Sequence, residues 1–153
     1  MATEEEFEIE SMHFERLLLA VDDDDDESSR RAFNYASTLA KIYNIPLGIV
    51  SVLETGDLNI YQSLSPELLS QRRSEIAAHL NTYVEKAEAF GALNVQPIIG
   101  EGKPARVIVE EVVPEFKPDL IILGSHGRHG RTHIGTVAGE ITRTAEASVI
   151  IVR

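Results

Sequence analysis

The chain has 153 residues, no cysteine and a formal net charge of −11 at pH 7. One domain is expected at this length, and the lack of cysteine excludes disulfides, thiolate metal sites and a cysteine nucleophile. The negative charge repels phosphate backbones and anionic lipids, which disfavours nucleic acid and membranes as partners. No apolar run approaches the ~20 residues that cross a bilayer, and the acidic first residues do not resemble a secretory signal, so the expected location is the cytoplasm.

Five short apolar runs predict β-strands. Four of the runs are continuous, which is typical of strands that are buried on both faces of a parallel sheet. The predicted strands span residues 16–21, 46–53, 94–100, 119–124 and 148–153. Pro97 interrupts the third run and predicts that this strand lies at an edge of the sheet, because proline cannot donate a hydrogen bond to a neighbouring strand.

Helical patterns separate the strands. Their apolar residues recur at helical spacing, and Ser65, Pro66 and Gly91 have the chemistry of an N-cap, a first helical residue and a C-cap. The predicted helices span residues 28–43, 66–90, 104 to about 114–118, and 135–146.

The alternation of strands and helices predicts an α/β fold. Right-handed crossovers then give a Rossmann-like, doubly wound sheet of five parallel strands in the order 3-2-1-4-5, with helices on both faces. Residues 15–153 form the expected domain, and residues 1–14 are expected to be loosely held. Residues 54–64 form an unusually long connection.

Two unusual stretches follow predicted strands 1 and 4. Strand 1 is followed by VDDDDDESS (21–29), and strand 4 by GSHGRHGRTHIGT (124–136). Doubly wound sheets bind ligands beyond the carboxyl ends of the strands, at the point where the strand order reverses. Strands 1 and 4 are neighbours at that point, so the sequence predicts one ligand site built from both stretches.

The glycine-rich stretch has the properties of a phosphate site. Its glycines allow backbone N–H groups to turn towards an anion, and they are Gly124, Gly127, Gly130 and Gly135. Gly135 and Thr136 open a helix whose N-terminus favours negative charge, and Arg128 and Arg131 can donate charge-assisted hydrogen bonds. Asp22, directly after strand 1, can accept from an adenine amino group or a ribose hydroxyl. Neither the GxxxxGK[ST] nor the GxGxxG fingerprint is present.

A metal site is the alternative interpretation of the same stretch. His126, His129 and His133 could form a cluster, but a metal needs imidazoles in fixed geometry. The glycines at 127 and 130 disfavour a continuous histidine face, so no metal site is expected.

The aspartate run has three further interpretations. An EF-hand fails because Glu27 occupies the position that requires glycine, and a receiver domain lacks the aspartate after strand 3 and the lysine after strand 5. A phosphatase of the haloacid dehalogenase type, with Asp22 as nucleophile and Asp24 as acid, stays open, although Asp26 stands where that family has threonine or valine.

The chain resembles the universal stress protein family over residues 15–153. The resemblance is carried by LLLAVDD, EGKPARVIVEEV, LGSHGRHG and GTVAGEITRTAEASVIIVR. It implies a Rossmann-like fold, homodimers and, in one subgroup, bound ATP without a strong catalytic apparatus. The nucleotide pattern of that subgroup is G-x2-G-x9-G-[ST].

Carried onto this chain, the resemblance adds apolar adenosine contacts to the phosphate loop and Asp22. The complete candidate set is Ala20, Asp22, Val52, Leu123, Gly124, Gly127, Arg128, Gly130, Gly135, Thr136 and Val137. Seven residues separate Gly127 from Gly135, where the pattern has nine. The shorter loop predicts that ATP gains little affinity over ADP or AMP.

The predicted function is a stress-response protein that binds ATP or another adenine nucleotide, with or without Mg²⁺. No general base or activated nucleophile is identifiable, so no catalytic residue is assigned and hydrolysis is expected to be weak at most. The alternative is a dimeric interaction protein of the same fold that binds no nucleotide.

A homodimer is expected through strand 148–152. This strand is an apolar edge strand, and pairing with its own copy would protect it. Proline at Ile150 is expected to remove a donor from that contact. The competing arrangement is a monomer in which residues 1–14 shield the edge.

Overall fold

The computed structural model describes residues 6–22, 27–54, 65–127 and 130–153, and it describes their side chains outside 126–134. Its main sheet is parallel and has the order β3-β2-β1-β4-β7. These strands are β1 (Leu17–Ala20), β2 (Leu47–Glu54), β3 (Val95–Gly102), β4 (Leu120–Gly124) and β7 (Ser148–Val152). The predicted fold class and strand order are confirmed.

Helices cover both faces of this sheet. They are α1 (Glu27–Tyr43), α2 (Pro66–Phe90), α3 (Pro104–Val107), a π-helical segment (Ile108–Val112), α4 (Val113–Phe116) and α5 (Thr136–Thr144). Side chains of α1 and α2 pack with Leu17 and Leu19 in one apolar cluster. The remaining helices pack with Leu18 in a second cluster on the opposite face. Alternate residues of one strand thus belong to opposite faces, which is the period-two geometry of a strand.

The third predicted helix is not a uniform α-helix. The Val113 N–H donates to the Ile108 carbonyl, five residues back, and this bond defines the π-helical segment. Pro114 follows and has no N–H, so the α-helical bond to the Glu110 carbonyl cannot form. A π turn is one way in which a helix accommodates such an interruption.

The glycine-rich stretch after β4 is also more regular than the predicted loop. β5 (His126–Gly127) and β6 (Gly130–Ile134) form a two-stranded antiparallel hairpin. Gly127 pairs with Gly130, so two residues connect the strands, a common length for a hairpin connection. The sequence analysis treated this stretch as a loop and did not predict the hairpin.

Strand β7 presents alternate backbone groups to its neighbour and to its free edge. The Ser148 N–H donates to the Asp119 carbonyl at 3.1 Å, and the Val152 carbonyl accepts from Ser125 N–H at 2.8 Å. Alternation along the strand makes Ile150 face β4 as well, and leaves the N–H and carbonyl groups of Val149 and Ile151 at the free edge. The expectation that proline at 150 removes a donor from the edge was therefore wrong, because that donor lies inside the sheet.

Strand β3 forms the other edge, as Pro97 predicted. The Leu47 N–H donates to the Asn94 carbonyl at 2.9 Å, which fixes the alternation. Even-numbered residues of β3 face β2, and the outward backbone groups belong to Val95, Pro97, Ile99 and Glu101. Proline therefore removes an outward donor and costs the sheet no internal hydrogen bond.

Asp119 fastens the chain entering β1 to the start of β4. Its carboxylate accepts from the backbone N–H groups of Glu15 at 2.8 Å and Arg16 at 2.9 Å. Phe14, just before them, packs against the core. The Asp119 carboxylate thus connects the segment that precedes β1 with the segment that precedes β4.

We expect Asp119→Ala to lower the free energy of unfolding by ~1–3 kcal/mol, because two backbone donors, one of them partly buried, lose their acceptors. Asp119→Asn should cost less, since one oxygen remains. Urea unfolding measures both variants, with Glu146→Ala as a control on an exposed side chain, where a change within about ±0.5 kcal/mol is expected. Equal effects of the Asp119→Ala and Glu146→Ala changes would contradict the proposed fastening.

Candidate functional site

The carboxyl ends of β1 and β4 lie side by side at the centre of the sheet. Ala20 is the register partner of Leu123, and the Val21 N–H donates to the Val50 carbonyl at 2.9 Å. Ala20, Val52 and Leu123 contribute to the same apolar cluster. Leu123 is buried, whereas Ala20 and Val52 are half-buried. The structure thus brings these three predicted contacts to one face and one end of the sheet.

Gly124 ends β4 against Ser28 in the first turn of α1. A Cβ added at Gly124 would lie 2.9 Å from Ser28 Oγ, 3.0 Å from the Ser28 carbonyl carbon and 3.1 Å from its oxygen. These distances are shorter than ordinary van der Waals contact, and two of them involve backbone atoms. The absent side chain therefore lets the N-terminus of α1 approach the end of β4.

Ser28, which makes this contact, and its neighbour Ser29 are both buried, with 7% and 8% of their surface exposed. The sequence analysis did not assign either serine to the site, because the aspartates before them dominate that stretch. The signal that could have found Ser28 is its position at the start of the helix that follows strand 1, because the strand order brings that helix start close to Gly124 at the end of strand 4. Their burial indicates a packing role beside the site.

The start of α5 is tied to the end of β4 through Ser125. The Ser125 N–H donates to Val152, and its carbonyl accepts from Gly135 N–H at 3.0 Å. Gly135 is the N-cap of α5. The first N–H groups of a helix have no partner within it, so α5 directs donors and the positive end of its dipole towards this end of the sheet. Thr136 and Val137 in that first turn are exposed.

The remaining predicted contacts are placed less completely. Asp22 is exposed and follows β1 by two residues. Gly127 and Gly130 pair with each other through the hairpin backbone, and Arg128 lies outside the described residues. Asp24, which the phosphatase alternative needs as its acid, lies outside them as well.

No group of three or more metal-ligating side chains occurs among the described residues. The side chains of His126, His129 and His133 lie outside that description, so the histidine cluster stays untested. Within the described part of the chain, no helix is long and apolar enough to span a membrane.

The N-termini of two helices contribute positive charge at this end of the sheet. Both α1 and α5 begin next to the β1–β4 junction, and each contributes a partial positive charge. Glu27 in the first turn of α1 is exposed and pairs with Arg31 at 2.8 Å. The arrangement can bind an anion beside a half-buried apolar surface.

Comparisons with known proteins agree with this geometry. A model described as the universal stress protein family matches residues 13–153. A protein of Staphylococcus haemolyticus (strain JCSC1435) named for the same family is 29% identical over 142 residues, which cover 92% of this chain and 85% of that protein.

Solved structures show the same fold. A universal stress protein in complex with cAMP is 24% identical, with a TM-score of 0.68 over 92% of this chain and 97% of that one. A universal stress protein from Archaeoglobus fulgidus in complex with dAMP is 18% identical, with a TM-score of 0.64 over 93% of this chain and 100% of the other.

Proposed function

This chain belongs to the universal stress protein family, and from that premise we propose that it is a stress-response protein that binds an adenine nucleotide. The binding site is the junction where the carboxyl ends of β1 and β4 meet. The ligand is ATP or another adenine nucleotide, with or without Mg²⁺. Hydrolysis is proposed to be weak at most, because the sequence offers no identifiable pair of nucleophile and base.

One observation carries the proposal: two helix N-termini and an apolar surface converge on the same junction. Gly124 allows α1 to begin against β4, and Ser125 holds Gly135 at the start of α5. Phosphate groups suit helix N-termini. The half-buried Ala20 and Val52 suit the flat apolar face of adenine, and Asp22 suits its amino group or the ribose hydroxyls.

The ligands of two relatives support the same chemistry. The two related proteins were solved in complex with cAMP and with dAMP, which are adenine nucleotides with one phosphate. A monophosphate fits the short connection between Gly127 and Gly135, which holds seven residues. We therefore propose that adenosine and the first phosphate contribute most of the affinity, and that further phosphates add little.

The proposed assembly is a homodimer through strand 148–152. The free edge of β7 continues onto one side of α1, because Arg31 Nη1 donates to the Arg153 carbonyl at 3.2 Å. Tyr35 and Ile42 lie on the same side of α1, four and eleven residues after Arg31, and are 42% and 67% exposed. The proposed location is the cytoplasm, which suits a chain without cysteine.

Mass spectrometry of small molecules released by heat from the purified protein tests the proposal. An adenine nucleotide is expected in the supernatant, and calorimetry with AMP, ADP and ATP should give affinities within about tenfold of one another. A hundredfold preference for ATP would contradict the proposed role of the short connection. Absence of binding for all three nucleotides would overturn the proposal itself.

We expect Asp22→Ala to weaken nucleotide binding about tenfold, which corresponds to ~1.4 kcal/mol and lies within the range for a buried partner that loses its hydrogen bond. Isothermal calorimetry measures the change. Glu85→Ala, an exposed carboxylate on α2, controls for the loss of one negative charge. Unchanged affinity in a folded Asp22→Ala variant would remove Asp22 from the site.

A dimeric interaction protein without a nucleotide is the second candidate. Five consecutive aspartates, Asp22–Asp26, follow β1, and carboxylates that point towards the junction would repel phosphate. In that case the heat-released fraction would contain no nucleotide, and dimerisation would persist without one.

A further inference from the structure

A recess lies along edge strand β3, at the opposite side of the sheet from β7. This recess, the β3 groove, has a volume of about 720 Å³ and runs between β3 and the π-helical segment with α4. Its lining includes the apolar side chains of Ile98, Val107, Val112 and Phe116. It is separate from the β1–β4 junction, so the inference does not depend on nucleotide binding.

The charged groups of the β3 groove are mostly acidic. Glu101, Glu111 and Glu115 line it. The carboxylate of Glu101 is neutralised by Arg73 of α2, and this ion pair raises the pKa of the Arg73 guanidinium above its usual range. Glu111 and Glu115 are exposed and have no ion-pair partner within the described part of the chain.

Arg16 is the cation that lines the β3 groove, and it is already engaged. Its guanidinium lies 5.0 Å from the centre of the Phe116 ring, and its Nη1 donates to the Phe116 carbonyl at 3.2 Å. Arg16 therefore stabilises the wall of the groove. The two carboxylates of Glu111 and Glu115, four residues apart on one helical stretch, repel each other unless a cation lies between them.

The same groove opens onto free backbone groups. The N–H and carbonyl groups of Ile99 and Glu101 point away from β2, whereas Pro97 offers only its carbonyl. Ile99 is 42% exposed. An extended segment can add to such an edge by main-chain hydrogen bonds, while its side chains enter a neighbouring recess.

We propose that the β3 groove binds an extended, basic segment of a partner protein. Its backbone pairs with the outward groups of Ile99 and Glu101. Its cationic side chains pair with Glu111 and Glu115 on one face of the strand, and its alternate, apolar side chains lie on the other face, beside the exposed Ile99. Charge complementarity selects the partner, and Pro97 limits the length over which the edge can pair.

Fluorescence anisotropy with a labelled peptide of sequence Arg-Val-Arg-Val-Arg-Val-Arg tests the proposal on the full chain. We expect the wild type to bind it, and the double variant Glu111→Gln with Glu115→Gln to bind roughly three- to tenfold more weakly, the size expected for two exposed ion pairs. Two further peptides carry methyl groups on the backbone nitrogens of the arginines or of the valines. The one whose methylated nitrogens face β3 should bind more weakly, because it cannot donate to the edge.

The matched control is Glu85→Gln with Glu88→Gln, two exposed glutamates on α2, which changes the net charge by the same amount. This control should retain wild-type affinity. Equal weakening by both double variants would mean that the peptide responds only to the negative charge of the whole protein, and would overturn the proposal. So would unchanged binding of both methylated peptides, or no binding of the unmodified peptide to the wild type.

Discussion

Gly124→Ala is expected to damage both the stability of the domain and the nucleotide site. The new Cβ would meet the Ser28 side chain and backbone at 2.9–3.1 Å. The Ser28 backbone cannot move aside as easily as the end of a flexible side chain can. Overpacking of this kind costs ~1–3 kcal/mol, and the expected response is a displacement of the first turn of α1.

That displacement is expected to weaken nucleotide binding at least tenfold, because a misplaced helix N-terminus loses alignment with the phosphate. Calorimetry at a temperature where the variant is folded measures this effect. Urea unfolding measures the loss of stability. The loss of nucleotide affinity and the loss of stability arise from the same contact. A control variant is therefore needed that lowers stability without touching the site.

Gly48→Ala provides this control at the other end of the sheet. A Cβ at Gly48 would lie 2.9 Å from Phe116 Cζ and 3.1 Å from Ile98 Cδ1, which predicts a loss of stability by overpacking, smaller than that of Gly124→Ala because these atoms belong to side chains. Gly48 is the second residue of β2 and lies far from the carboxyl ends of the strands, so nucleotide affinity should stay unchanged. If Gly48→Ala and Gly124→Ala weakened binding equally, the role of Gly124 in positioning α1 would be rejected.

The fold could be predicted because its strands are apolar on both faces. A run such as that of β4, Leu120–Gly124, has no polar face, and helices must then cover both sides of the sheet. Pro97 predicted the edge correctly from its missing donor. The interruption of the third helix was not predicted, since Pro114 was taken as a sign that the helix ends. In the structure a π-helical segment precedes Pro114, and the helix continues to Phe116.

The candidate site was predicted in outline. Ala20, Leu123, Gly124 and Gly135 lie where strand order and helix starts placed them, because both follow from the order of elements. The contact between Gly124 and Ser28 was not predictable, since it depends on how closely α1 approaches β4. The hairpin of β5 and β6 was also missed, because glycine and histidine have little preference for strands.

The direction of backbone groups at β7 has the largest consequence for the proposed dimer. Whether residue 149 or residue 150 faces the free edge depends on the pairing register with β4, and a shift of one residue exchanges them. The apolar run of β7 contains no sign of that register. The Ser148 and Val152 hydrogen bonds settle it in favour of Val149 and Ile151.

Ile151→Pro is therefore expected to convert the dimer to a monomer that remains folded. Proline at this position removes a donor at the free edge and leaves the bonds to β4 intact. Ile150→Pro should instead disrupt the sheet, because it removes a donor to the Ile121 carbonyl and places the proline ring against β4. We therefore expect Ile151→Pro to impair assembly and Ile150→Pro to impair folding.

Sedimentation at micromolar concentration and circular dichroism decide between these outcomes. Ile151→Ala is the matched control, because it shortens the side chain and keeps the N–H, so it should remain mostly dimeric. The exposed Tyr35 and Ile42 beside the same edge should become less accessible to solvent in the wild-type dimer and not in Ile151→Pro. A wild type that sediments as a monomer would reject the dimer, and a dimeric Ile151→Pro would show that the subunits meet at another surface.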